Sequence, residues 1–235
     1  IHTPSECAAD CHKVCVALMQ LLREQGVRFL LDTPVTQLLR RGSQVVAADT
    51  PQGPVQADAF VVALGSASHP MARSLGLRVP VYPLKGYSLT VDVSEAPGAA
   101  PRVNVTDAAR KVVFARLGQR MRVAGMAELV GENTHIPADR IDSLVASARA
   151  LFPHASDYQD VRPWAGLRPA TPTALPVIGR LRGGPQNAWF NIGHGALGFT
   201  LAFGSAQRLV AQMREHHASR LSQPTGPVAP AACSV

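Results

Sequence analysis

Apolar residues recur at helical spacing between residues 5 and 25. Val14, Leu18, Leu21 and Leu22 form one stripe, with Ser5 placed to cap the start and Gly26 to end it. The period then shortens. Val27-Arg28-Phe29-Leu30-Leu31 reads as a strand that breaks at Pro34, and Gln44–Thr50 with Val55–Asp58 reads as a hairpin around Pro51-Gln52-Gly53-Pro54. Ala59-Phe60-Val61-Val62-Ala63-Leu64 is apolar at every position and stops at Gly65-Ser66. A strand covered on both faces has this composition, so the run predicts an interior parallel strand with its carboxyl end at Gly65. A short helix over Pro70–Leu75 follows.

Past residue 80 the pattern becomes alternating. Tyr87–Val93, Arg102–Thr106, Val112–Leu117 and Met121–Ala127 predict an antiparallel sheet with turns at Pro97-Gly98 and Gly118-Gln119, and Pro137–Leu151 predicts a helix on that sheet. Met121 and Met126 read as core or pocket wall. Beyond Tyr158–Arg162 the chain returns to an apolar strand, Ala188–Ile192, and an apolar helix, Phe199–Met213. The fold class is mixed α/β. One unit, residues 1–80 with 160–216, carries the parallel strands; a second, residues 81–159, is inserted as an antiparallel sheet. Residues 217–235, rich in Pro, Ala and Ser, read as a flexible tail. A chain that leaves a unit and returns to it leaves a cleft between the two, where ligands bind.

Charge and cysteine content narrow the function. Apolar residues make up 46% and charged residues 17%, as in a globular protein, and net charge is +7. Nearly all the positive charge is arginine, scattered without interleaved aromatics, so a nucleic-acid partner is not indicated, whereas attraction to an anionic membrane surface is compatible. No run is long and apolar enough to span a bilayer, so a cytoplasmic protein with room for association with the inner face of the membrane is expected. Cys7, Cys11 and Cys15 are spaced four apart; a buried apolar helix stripe accounts for them better than a metal site, since no known ligand spacing matches.

The most informative stretch is Trp164–Ser205. Gly193-His194-Gly195-Ala196-Leu197-Gly198 spells G-x-G-x-x-G between a strand and a helix, where bare backbone and free helix N–H groups suit an anionic or electron-rich ligand edge. No further strand and acidic residue follow, so it is not the first βαβ unit of a dinucleotide fold. Trp164-Ala165-Gly166-Leu167-Arg168-Pro169-Ala170-Thr171-Pro172, Leu175-Pro176-Val177-Ile178-Gly179 and Asn191–Thr200 together resemble the C-terminal block of the FAD-dependent D-amino-acid oxidase superfamily, within it the bacterial D-amino acid dehydrogenase small-subunit family. Val61–Ser66, Tyr82–Thr90 and, more loosely, Glu6–Cys11 extend the resemblance to about Met213.

The resemblance implies an FAD/NAD(P)-binding-type domain with an inserted substrate domain. It also implies oxidative deamination of D-amino acids to 2-oxo acids and ammonia, by hydride transfer to flavin N5 with electrons passed to a quinone or another acceptor. Arg168 would clamp the substrate carboxylate, and Tyr87 could touch substrate or simply pack in the sheet. Gly193–Gly198 would face the flavin, with His194 near the cofactor. Ala63, Gly65 and Ser66 would lie near the dinucleotide, and Val35 where backbone meets adenine. Tyr82 and Lys85 are further candidates, a solvated turn lysine being the plainer view of Lys85. The family's opening strand and pyrophosphate loop do not precede Ile1, so a C-terminal fragment is expected that requires an N-terminal segment or a partner subunit. An inert fragment or binding subunit, and a sarcosine- or glycine-type amine oxidase, are the alternatives. Thr173-Ala174 stands where the family tends to carry Asp-Gly, and Ala9 where it carries Gly.

Overall fold

The computed structural model describes residues 8–221. Helix α1 is Cys11–Glu24, and Asp10 caps it by accepting from the backbone N–H groups of His12 and Lys13 at 3.1 and 3.3 Å. Ser5 and Cys7 lie outside the described residues. The expected buried stripe is not observed: α1 has no buried residue, Val16, Leu18 and Leu21 are exposed, and so are Cys11 and Cys15. No element among the described residues covers that face. Residues 27–31 form no strand and run into a turn at Asp32, which has φ +52°. β1 (Gln37–Arg41) and β2 (Gln44–Asp49) pair antiparallel, whereas the expected partner segment 55–58 contributes only the bridge Ala48 to Val55. Leu38 and Val45 are buried in one core, with Ala48 packed against them, and Ala47 is buried as well.

The chain continues through β3 (Phe60–Val62), a 3₁₀ turn at Gly65–Ala67, α2 (Ser68–Ser74), β4 (Tyr82–Asp92), β5 (Val105–Asp107), β6 (Val112–Leu117), β7 (Arg120–Glu128), α3 (Ala138–Leu151), β8 (Arg162–Ala170), β9 (Val177–Gly179), β10 (Ala188–Ile192), a second 3₁₀ turn at Gly195–Leu197, and α4 (Gly198–Leu221). The helix therefore extends into residues expected to be tail; residues 222–235 lie outside the described residues. No helix among the described residues is long and apolar enough to cross a membrane.

Two cores result. β3, β10 and β9 form a three-stranded sheet in which β3 and β10 are parallel, and Phe60, Val62, Met71, Ala72, Phe190 and Ile192 fill its core with the β1–β2 hairpin. Asn187 ties the hairpin in: its side chain accepts from Val45 N–H at 2.8 Å and donates to the carbonyls of Val45 and Asp58. Contrary to a strand covered on both faces, Val61 is 48% exposed, because β3 is the edge of this sheet among the described residues.

The second core lies under a five-stranded antiparallel sheet of order β5-β6-β7-β4-β8. Tyr87, Leu89, Val91, Phe114, Met121 and Val123 point from it onto Ile141, Leu144 and Ala148 of α3. Leu144 is fully buried, worth roughly 1.5–3 kcal/mol relative to exposure. β8 pairs with β4 along its whole length, from Tyr82 opposite Ala170 to Thr90 opposite Arg162. Sheet membership thus carries the antiparallel unit to residue 170, past the division expected at 160, because backbone pairing with β4 captures the returning strand.

Candidate active site

Parallel pairing of β3 and β10 brings their carboxyl ends to one edge of the sheet, and each strand continues through a glycine turn into a helix. Gly65, Gly193 and Gly195 have φ of +58°, +80° and +57°, the left-handed region that glycine enters without penalty. They differ in surroundings. A Cβ at Gly193 would come within 2.6 Å of Thr171 Cγ2, so this glycine allows close packing. A Cβ at Gly65 would meet nothing within 4 Å, and one at Gly195 only Ala170 Cα at 4.0 Å. Gly65, Ser66, Gly195 and Gly198 are part-exposed around this opening, Ala63 and Ala196 are exposed, and Leu64 and Leu197 present apolar side chains to it. α4 starts at Gly198 directly after the 3₁₀ turn, which brings the positive dipole end of a long helix to this edge. Two buried polar atoms beside it, His194 Nε2 and Asn191 Oδ1, have no hydrogen-bond partner. Burial lowers the His194 pKa, so the imidazole is neutral near pH 7 and can hydrogen-bond a ligand without adding charge.

β8 runs against both turns, and on it stands Arg168. Its guanidinium lies over Gly86 of β4, where any Cβ would collide with it. Its Nη1 donates to the carbonyl of Met126 at 3.1 Å, which a positive φ of 64° at Met126 helps aim. No carboxylate among the described residues pairs with Arg168, and burial lowers its pKa from the ordinary arginine value while leaving it cationic. Among the described residues this part-buried cation has the Met126 carbonyl as its hydrogen-bond partner, and an anion of carboxylate geometry would complete it.

Other candidates fall elsewhere. Tyr87 is 1% exposed on the sheet face toward α3, opposite to Arg168, and its hydroxyl donates to Glu128 Oε2 at 2.6 Å. The alternation of β4 places it in the core, in keeping with the expectation of a packed sheet aromatic. Lys85 is on that same inner face, also buried and not a solvated turn residue: its Nζ donates to the His135 carbonyl and lies 5.0 Å from the Tyr87 ring centroid. Met121 is core. Tyr82 is exposed on the Arg168 face, and Val35 is exposed just before β1. Two features escaped the sequence: Gly86 and Gly166 face each other across β4 and β8, and Trp164 and Arg122 share the Arg168 face. Tyr82–Thr90 and Trp164–Pro172 each carry a motif, but no single-sequence signal pairs them.

The site is two-sided: glycine turns at parallel strand ends face an arginine-bearing antiparallel sheet. The chain belongs to the FAD dependent oxidoreductase (DAO) family, matched over residues 1–213. It is 44% identical over 214 residues to D-amino acid dehydrogenase 2 of Pseudomonas aeruginosa, covering 91% of this chain and 50% of that protein. It is 40% identical over 222 residues to D-amino acid dehydrogenase of Paramagnetospirillum magneticum, covering 94% and 52%. The chain thus spans about half the length of the curated relatives it matches. Its fold is shared with glycine oxidase from Geobacillus kaustophilus (TM-score 0.75, 22% identity, 86% of this chain and 53% of that one). It is also shared with L-proline dehydrogenase from P. horikoshii (TM-score 0.74, 16% identity, 94% and 58%). The residues present fit the family's FAD: open space beside Gly65 and Gly195, the two orphaned polar atoms and the α4 start suit the edge of a flat heteroaromatic ring.

Proposed function

We propose that this chain carries the substrate sheet and one side of the flavin site of a D-amino acid dehydrogenase, which deaminates a D-amino acid to its 2-oxo acid and ammonia. The observation that carries this reading is Arg168: a half-buried guanidinium without a counter-ion, one strand end from the glycine turns. A bidentate pair there fixes the substrate carboxylate and with it the orientation of Cα. FAD, when bound, supplies the two-electron acceptor for the Cα–N bond. Gly193, His194, Gly195, Ala196, Leu197 and Gly198 would hold its ring edge, with Ala63, Gly65 and Ser66 beside the dinucleotide and Val35 nearer the adenine. The positive dipole end of α4 would favour negative charge on that edge. Relatives at 40–46% identity carry the dehydrogenase name, which favours this reading over a glycine- or sarcosine-type oxidase.

Under this reading the two cores are the two domains, FAD-binding and substrate-binding, with β8 bridging them. Electrons leave to a quinone or another carrier, and the net charge of +7 supports transient attraction to the anionic cytoplasmic leaflet. The test is a visible spectrum of the FAD-reconstituted protein before and after anaerobic D-alanine. Bleaching is expected; a protein that takes up no flavin counts against the cofactor role of this chain. Arg168→Leu in the holoenzyme raises the KM for D-alanine roughly 10- to 100-fold through loss of charge-assisted hydrogen bonds. An unchanged KM removes Arg168 from the role.

A further inference from the structure

The outer face of the β7–β4–β8 sheet carries more than Arg168. Gly86 and Gly166 are directly opposed, so the floor there is bare backbone on both strands. The Arg168 guanidinium fills the space over Gly86, and the indole of Trp164 fills the space over Gly166. Opposed Cβ positions are about 5 Å apart, so indole and guanidinium lie within about 10 Å of each other on one floor. Arg122 reaches across β4, its guanidinium carbon 5.0 Å from the Trp164 ring centroid and its Nη2 donating to Ser88 Oγ at 2.9 Å. Ser88 is itself buried at 2%, so this anchor is rigid. Along the face, from the glycine turns outward, come Ala170, Arg168, then Trp164 with Arg122. Trp164 is 55% exposed although its indole lies over Gly166 and against the Arg122 guanidinium.

We propose that Trp164 is the specificity-determining wall for the substrate side chain, that it selects apolar and aromatic D-amino acids, and that Arg122 is a positioning residue that holds the indole through its stack and its bond to Ser88. This deepens the dehydrogenase reading and rests on it for the identity of the substrate. Arg168 takes the carboxylate, and Cα–H must face the glycine turns. A side chain directed away from the turns then runs past the guanidinium onto the indole that covers Gly166. A flat apolar plate beside a carboxylate clamp removes apolar area from water and offers ring-on-ring contact. Arg122, already committed to Ser88 and the indole, stiffens the plate, which lowers the ordering cost on binding.

The test compares kcat/KM for D-phenylalanine and D-alanine in the holoenzyme. Trp164→Ala is expected to lower the D-phenylalanine to D-alanine ratio about tenfold or more, chiefly through KM, with Trp164→Phe retaining most of it. Arg122→Leu shifts the KM for D-phenylalanine in the same direction with little change in its kcat, and Arg122→Lys restores part of the loss. An unchanged ratio in folded Trp164→Ala overturns the proposal. Should that variant not fold, the unaltered protein decides by direct binding: 3-phenylpropionate should bind at least tenfold more tightly than propionate, and equal affinity overturns the wall. A holoenzyme that oxidises no D-amino acid refutes the dehydrogenase reading instead, while the two carboxylic acids still report on Trp164.

Discussion

Replacing Gly86 by alanine isolates the position of Arg168 from its charge. Gly86 lies in the interior of β4 without a left-handed φ, so alanine suits the backbone. The added methyl would come closer than 3.0 Å to the guanidinium carbon and both terminal nitrogens of Arg168. The collision is with the far end of a flexible side chain, so the arginine gives way and the strand does not. Restoring ordinary contact at 3.4–4 Å moves the guanidinium by about 1 Å or more and strains its 3.1 Å bond to the Met126 carbonyl. Misplacement of a positioning group by about 1 Å can cost about 10²-fold in rate. Gly86→Ala should therefore lower kcat/KM for D-alanine by about 10²-fold, measured with an artificial acceptor under anaerobic conditions. Thermal stability should hold or rise, since alanine reduces unfolded-chain entropy by roughly 0.4–1 kcal/mol. Kinetics within twofold of the unaltered enzyme, with a native melting curve, would refute the placement of the clamp over Gly86.

Two further predictions concern stability. Ala174 adopts φ +58° in the turn closed by its N–H to the Thr171 carbonyl at 3.1 Å, a conformation that costs a residue with a Cβ about 1 kcal/mol or more. Ala174→Gly should raise the melting temperature by a few degrees, and a drop would show that the turn is not left-handed there. Glu128 accepts from the Tyr87 hydroxyl and from Arg140 Nε, each at 2.6 Å, and these hydrogen bonds hold its carboxyl below the usual range. A lowered folded-state pKa means stability that is present above the ordinary glutamate range and lost as pH falls through the folded value. In melting curves between about pH 6 and 3, Tyr87→Phe should narrow its gap to the unaltered protein as the solution is acidified; a constant gap would show no coupling.

How much of this was legible before folding depends on whether the signal is local. The run Phe60–Val62 into Gly65, the G-x-G-x-x-G before α4, the alternating β6 and β7 and the α3 period are local, because propensity and turn chemistry act within a few residues. The motif around Arg168 was legible for the same reason. Lys85 was misjudged and Tyr87 left open because a period of two says that neighbours alternate but not which face meets α3.

What the sequence alone determined was the set of pieces: two strand–glycine–helix units, an antiparallel sheet with its helix, and an arginine framed by glycine and proline. Only the tertiary structure decided that β8 pairs with β4, that the glycines at 86 and 166 meet as one bare floor, and that Arg168, Trp164 and Arg122 share it. It likewise decided which glycines are free to face a ligand, since Gly193 is filled by Thr171 while Gly65 and Gly195 stand open. Backbone pairing between segments some eighty residues apart is nearly indifferent to side-chain identity, so it leaves little trace in one sequence. The chemistry of the site depends on that pairing, because it sets which side chains converge.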